Sequence, residues 1–448
     1  MSSLYELLCH QTDLTHSPNT FIFILTTKDY EIFYGVCVRK DESVEHYPSF
    51  IKKEENSSSS SETSVVEDIK KSTTSSSTSN SSITIAPRCY VLVSRFPFFQ
   101  LFFEVLHGIL SMEHVYQITQ PYIQPHRNSA DDTSSNTIEN VSLLQKNALS
   151  TSTKKTPGFQ NEYRVEEKKE IIQVGDALQV LQKFYKLVIP NPGQPVEFKL
   201  SNTKTIHFSR SVIDEEDEAL REWGLTLAIH TIPKKHFFTM VNAFILEKKV
   251  AFVSQNLRIL SSVVLSFLTL VRPFIYQSAV IPILPLKMMS LLEAPVPFIV
   301  GITQMPDKIP TDVIILNLDD GILHQHIEIP ELPRFKPFDE FPALYSELKK
   351  TWIKDEKPYV PTSKQLRLSK RIAQLWNRSL TSMFETFRQH CITDMSEKNL
   401  PVTIFIKESF LETVNPEYLP WYSTMVETQM FFNYVDNRLR KMDRKPIV

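Results

Sequence analysis

Residues 249–271 read Lys249-Val-Ala-Phe-Val-Ser254, then Gln255-Asn256, then Leu257-Arg-Ile-Leu-Ser-Ser-Val-Val-Leu-Ser-Phe-Leu-Thr-Leu-Val271. A run of four apolar residues bounded by polar ones is short enough for a strand buried on both faces, and the following apolar stretch is long enough for a helix. A buried strand passing through a two-residue polar turn into a helix is half of a βαβ unit, so this stretch predicts a mostly parallel sheet.

Reading outward, Phe237 to Leu246 is an apolar helix, while Val280–Pro285, Phe298–Gly301 and Val313–Leu318 are further core strands. The acidic run Asp214-Glu-Glu-Asp-Glu218 opens a helix, where negative charge suits the N-terminal dipole, and reads as a solvated helix start. Beyond Lys349 the pattern turns helical, with Leu368, Ile372, Leu375, Trp376, Met383, Phe384 and Phe387 on one face. Toward the N-terminus, Thr20–Leu25 and Glu31–Arg39 flank a short polar turn and predict an antiparallel hairpin. Cys89–Ser94 predicts a strand, Phe98–Leu110 a helix, Gly175–Tyr185 a second helix and Pro195–Leu200 a short strand. The fold class is therefore α/β.

Two stretches lack the apolar residues to offset ordering entropy and are expected to be disordered insertions, at about 41–83 and 127–157. In the first, 17 of the 26 residues from Ser57 to Ser82 are Ser or Thr, hydroxyls that phosphorylation would charge.

The chain has 448 residues but 8 glycines, where ordinary usage of about 7% would give roughly 31. They stand apart, so no P-loop, dinucleotide-binding turn or nucleophile elbow is present. Cys9, Cys37, Cys89 and Cys391 form no CxxC pair, which argues against a zinc ribbon or redox motif and fits a reducing, cytoplasmic setting. With 49 basic and 51 acidic residues there is no global field for nucleic acid. The apolar run Ile259–Val271 reaches about 20 Å as a helix, short of a hydrocarbon core of about 30 Å. On a strand His324, His326 and Glu328 would share a face, but with no supporting cluster they read as a polar strand end. No catalytic residue, cofactor or metal site is expected.

Three blocks resemble the tripartite DENN family. The upstream block is Phe33–Arg39 with Tyr90–Phe99, and the central block is Ala243–Ser254 followed by Leu257–Gln277, Ile281–Pro285 and Ala294–Gly301. The downstream block is Phe405–Phe410 and Glu427–Phe432 before Arg438. The resemblance implies two lobes: a longin-like module over 1–190, and a C-terminal DENN module with a central α/β region at 203–335 and a helical downstream region at 336–448.

It also implies a partner, a Rab-family small GTPase held between the lobes, and a role as guanine nucleotide exchange factor in membrane trafficking. Such a factor needs no acid, base or metal of its own, because it acts by binding the nucleotide-free GTPase more tightly and displacing its switch segments. Exposed polar groups at loop ends are the expected partner contacts: Arg95 and Phe96 in the first lobe, and Gln255, Asn256 and Arg258 in the second. Two alternatives stay open, a GTPase-activating factor of the folliculin type using an arginine such as Arg95, and a scaffold that recognises the GTP-loaded form. Basic faces at Lys364, Arg367, Lys370, Arg371, Arg378 and Arg388, and at Arg438, Arg440, Lys441, Arg444 and Lys445, either meet anionic endomembranes peripherally or are solvated and paired.

Overall fold

A computed structural model describes residues 19–29, 31–44, 84–123, 175–201, 204–352, 361–395 and 401–443. The insertion expected at 127–157, and residues 45–83 of the other, lie outside the described residues. Residues 41–44, expected to begin the first insertion, instead continue a strand. Backbone pairing with residues 84–87 extends the strand through them.

The described residues fall into two compact units. The first takes residues up to Leu106, Pro190–Val196 and everything from Phe208 onward. It opens with an antiparallel sheet of β1 (Thr20–Thr26), β2 (Ile32–Val44) and β3 (Thr84–Ser94) in that order. The register sets Ile22 opposite Val36 and Thr20 opposite Val38, so these side chains share one face, which is buried. Leu25, Val91 and Val93 on the other face are exposed. Helix α1 (Phe99–Ile123) follows.

At the centre of this unit is a five-stranded sheet of order β10-β9-β6-β8-β7, made from β6 (Lys249–Val253), β7 (Ala279–Ile281), β8 (Phe298–Ile302), β9 (Val313–Asn317) and β10 (Leu323–His324). All pairings are parallel except that of β10 with β9. Strand β6 is central, and four of its five residues are buried because both faces are covered. Val250 and Phe252 join one core with Ile299, Ile314 and Leu316, while Ala251 and Val253 join a second with Val300 and Ile315. At Gly301 in β8 a Cβ would stand 2.2 Å from the Pro282 carbonyl oxygen, so strand and neighbouring chain approach only because no side chain intervenes.

One face carries α5 (Lys234–Ile245) and α6 (Leu257–Leu270). Before them, α3 (Glu215–Leu220) and α4 (Thr226–Thr231) flank a π-turn at Arg221–Leu225. Gly224 in that turn lets α6 come close: a Cβ there would lie 2.4 Å from the Ser262 carbonyl oxygen.

Helices α7 (Phe341–Trp352) and α8 (Ser363–Met383) follow. A capping box starts α8, with Thr362 N–H donating to Gln365 Oε1 at 2.7 Å and Gln365 N–H to Thr362 Oγ1 at 3.3 Å. The downstream region departs from an all-helical reading: β11 (Cys391–Met395) pairs antiparallel with β12 (Pro401–Phe405) before α9 (Lys407–Glu412), α10 (Leu419–Met425) and α11 (Gln429–Asp443). Two contacts tie it to the central region. Trp421 Nε1 donates to the buried Asn242 at 2.7 Å, and the Glu247 carboxylate accepts the first N–H groups of α11, from Gln429 at 2.8 Å and Met430 at 2.9 Å. Both use otherwise orphaned polar groups.

The second unit holds His107–Ile189 and Glu197–His207. It includes α2 (Gly175–Tyr185) and most of a two-stranded sheet of β4 (Pro195–Lys199) and β5 (Thr205–Ser209). Phe184 meets Phe198 edge-on at 5.4 Å, and Gly108 leaves room for Leu200.

Candidate functional site

The first pair of expected contact residues occupies the turn between β3 and α1. The strand ends at Ser94, whose Oγ accepts the Phe96 N–H at 3.0 Å, which fixes the turn. The two side chains then diverge. Arg95 is exposed, donates from Nη2 to Glu31 Oε2 at 2.8 Å, and lies 5.2 Å from the Phe33 ring. An exposed pair of this kind contributes at most about 1 kcal/mol, so a partner can recruit the guanidinium cheaply. Phe96 is half-buried and stacks on Phe98 at 5.2 Å under the guanidinium of Arg210. Arg210 is held in turn by both Glu215 oxygens, at 2.8 and 3.1 Å, and by the Pro190 carbonyl at 2.9 Å. Phe96 is therefore part of a built wall.

The second set sits where the parallel strands β6, β8 and β9 end, the place where open α/β sheets present loops to ligands and partners. Asp319, just past β9, organises this rim. Its Oδ1 accepts the Ser254 hydroxyl at 2.7 Å and its Oδ2 the Gln255 N–H at 3.0 Å. Ser254 Oγ accepts the Asn256 N–H at 3.1 Å, and Asn256 Oδ1 caps α6 by accepting from Arg258 N at 3.0 Å and Ile259 N at 3.2 Å. Asn256 thus serves the helix terminus, while Gln255 keeps an exposed side chain.

Arg258, expected among the exposed groups, is 1% exposed. Its guanidinium lies 3.1 Å from the centre of the Trp223 ring, and Nη2 donates to the Trp223 carbonyl at 3.3 Å. The reason is helical geometry: from the first turn of α6 the side chain points at the π-turn, not at the rim. Trp223 also stacks on Phe103 of α1 at 4.7 Å and meets Phe99 edge-on. Arg258 and Trp223 join α1, the π-turn and α6 within one unit. The described interactions link the Arg95 and Gln255 sets each to its own surroundings.

The acidic run does open α3, yet four of its five carboxylates have described partners, while Asp214 is exposed. Glu215 holds Arg210, Glu216 accepts from the Tyr34 hydroxyl, and Asp217 pairs with Arg272 at 2.7 Å. With Pro273 and Asn377 these residues line an open recess of about 360 Å³. Burial pushes the Asp217 carboxyl up against the opposing pull of Arg272, and burial, then the Glu216 charge, push the Tyr34 hydroxyl up. Sequence reading does not single out Arg210, Trp223 or Asp319. Strand-end position alone signals Asp319, whereas nothing local signals the others.

Among the described residues of the basic faces four are ion-paired, Lys364 with Glu347, Lys370 with Glu218, Arg371 with Glu340 and Arg440 with Asp436, and Arg438 lies 4.8 Å from the Tyr434 ring. Arg444 and Lys445 lie outside the described residues. His324 ends β10, so the strand alternation that would align His326 and Glu328 with it does not extend to them. Among the described residues no group of three His, Cys, Asp or Glu is placed to hold a metal, and no helix is long and apolar enough to cross a membrane.

Comparison with known proteins adds two domain matches: DENN (AEX-3) domain over residues 163–321 and dDENN domain over 405–447. The human DENN domain-containing protein 1B is 23% identical over 292 residues, covering 60% of this chain and 35% of that protein. The human DENN domain-containing protein 1A is 21% identical over 268 residues, covering 58% and 24%. The Caenorhabditis elegans MAP kinase-activating death domain protein is 35% identical over 105 residues, covering 21% and 8%. The chain thus spans about a third or less of the length of these relatives.

Proposed function

The chain belongs to the DENN domain family, and on that premise we propose that it is a guanine nucleotide exchange factor for a Rab-family small GTPase. The observation that carries this reading is that two successive modules of the family occur in order, central and then downstream. The proposed organisation is a longin-like module over 1–190, a central region over 203–335 and a downstream region over 336–448.

In this mechanism the GTPase docks on the first unit, with its switch segments against the turn at Arg95 and the strand-end rim at Gln255. Arg95 supplies a charge that exchanges its exposed carboxylate for one on the partner, and Gln255 supplies hydrogen bonds. Phe96 and Asn256 hold these turns in shape, and the Arg258–Trp223 contact keeps the two supporting elements rigid. Preorganised surface that fits the nucleotide-free GTPase better than the loaded one lowers the barrier to GDP release by that difference in affinity. GTP then enters by mass action. Arg438 and Arg440 on α11 are the proposed peripheral contact with anionic endomembranes.

The test is release of fluorescent GDP from a panel of Rab proteins. Acceleration on at least one member, reduced by Arg95→Ala and by Gln255→Ala, supports exchange. Faster phosphate release abolished by Arg95→Ala assigns the activating role instead, and GTP-dependent binding with neither activity assigns a scaffold.

A further inference from the structure

Strand β1 pairs with β2 as far as Thr20 opposite Val38, and from Arg39 onward β2 and β3 continue as a two-stranded ribbon to Val44 and Thr84. The residues between its ends, 45–83, contain the Ser-rich stretch. Two cysteines stand where three strands become two. Cys37 is opposite Val91 and Cys89 is opposite Arg39, so the two side chains lie on the same face in adjacent rows, as a diagonal pair. Cys37 is 1% exposed, whereas Cys89 is exposed. Burial, and then the adjoining Cys89 thiol, which shares a hydrogen bond with it, push the Cys37 thiol up.

Diagonal neighbours lie about 7–8 Å apart between Cα atoms, somewhat beyond the roughly 4.4–6.8 Å that a disulfide usually spans, so the two strands must draw together to form one. The adjustment required is small, and the ribbon can make it. Two strands alone are marginal in water, and this ribbon also lacks a donor where Pro87 stands opposite Asp41.

We propose that Cys89 and Cys37 are a paired oxidation site, with Cys89 the residue that meets peroxide and Cys37 the resolving thiol. The Cys89 sulfur attacks one oxygen of hydrogen peroxide, breaking the O–O bond and giving a sulfenic acid and water. The Cys37 sulfur then attacks that sulfenic sulfur. An S–S bond forms, the S–O bond breaks, and the departing hydroxide takes the Cys37 proton as a second water. Two thiols and one peroxide thus give one disulfide and two waters. The product staples the root of the ribbon and fixes where the 45–83 segment leaves the sheet.

The full chain, reduced and freed of reductant, is treated with hydrogen peroxide, blocked with N-ethylmaleimide and digested with trypsin without reduction. The expected result is a cross-linked pair of peptides 29–39 and 89–95, two hydrogens lighter than their sum. It disappears on reduction and forms at a rate independent of protein concentration. Cys89→Ser, an exposed change that spares the fold, abolishes the pair and leaves Cys37 a thiol. The proposal is overturned if Cys89 runs on to the sulfonic acid with Cys37 still free, or if Cys89 bridges to Cys9, Cys391 or another molecule.

Discussion

Arg258 and Trp223 offer a measurement of what holds the candidate surface in shape. The perturbation is Trp223→Leu, Arg258→Met and the double variant. Trp223 is 8% exposed and stacked on Phe103, with the Arg258 guanidinium on its other contacts. Truncating a buried aromatic to alanine costs about 3–5 kcal/mol, and leucine refills part of the space, leaving about 2 kcal/mol. A cation–π contact this desolvated adds about 2 kcal/mol, so Trp223→Leu alone should cost about 4 kcal/mol. Arg258→Met keeps most of the volume while removing both the cation–π contact and the cost of burying a charge, so it should cost about 1 kcal/mol or less. In the double variant the contact is lost once rather than twice, which gives a coupling energy of about 2 kcal/mol. Urea unfolding followed by far-ultraviolet circular dichroism reads all four proteins. A coupling below about 0.5 kcal/mol, or Arg258→Met behaving as badly as Trp223→Leu, would refute the reasoning.

Three further outcomes follow from local geometry. Gly224→Ala drives a methyl onto the Ser262 carbonyl oxygen of α6, 2.4 Å away, and should cost at least about 2 kcal/mol in the same urea assay. Glu247→Ala removes the carboxylate that caps α11 and should cost about 1 kcal/mol, with faster hydrogen exchange confined to the first turn of that helix. His230, half-buried between Trp352 and the Lys349 ammonium, has its pKa lowered to about 4, by burial first and by Lys349 second. Its unfolded form titrates near 6.5, so the unfolded chain gains the proton first as pH falls. Its penalty is absent above pH 6.5, grows between pH 6.5 and 4 and then levels off. His230→Gln should flatten the stability profile in that window, as read by thermal unfolding at a series of pH values.

Much of the fold is legible because burial on both faces leaves a plain trace. Val250-Ala-Phe-Val253 can be little other than a central parallel strand, and the flanking helices follow from their spacing. The β11–β12 hairpin is not legible in the same way. Ile392, Val402 and Ile404 point outward while Thr403 is buried and meets Thr393 at 3.0 Å, which inverts the usual apolar-in pattern. The candidate surface is half legible. Turn chemistry marks Arg95, Phe96, Gln255 and Asn256, but loop-end position cannot distinguish an outward Gln255 from an inward Arg258, because that depends on where the π-turn brings Trp223. The acidic run shows the same limit: its charge is plain, but its engagement with Tyr34, Arg210 and Arg272 depends on contacts 5 to 182 residues away in sequence.

The most direct test of the account is the GDP-release rate of Rab proteins with and without this chain. The account predicts acceleration of about tenfold or more for at least one Rab, equivalent to about 1.4 kcal/mol off the release barrier, and its loss in an Arg95→Ala, Gln255→Ala double variant that folds normally. Unchanged release across the whole panel with well-folded protein, or acceleration untouched by that double variant, would contradict it.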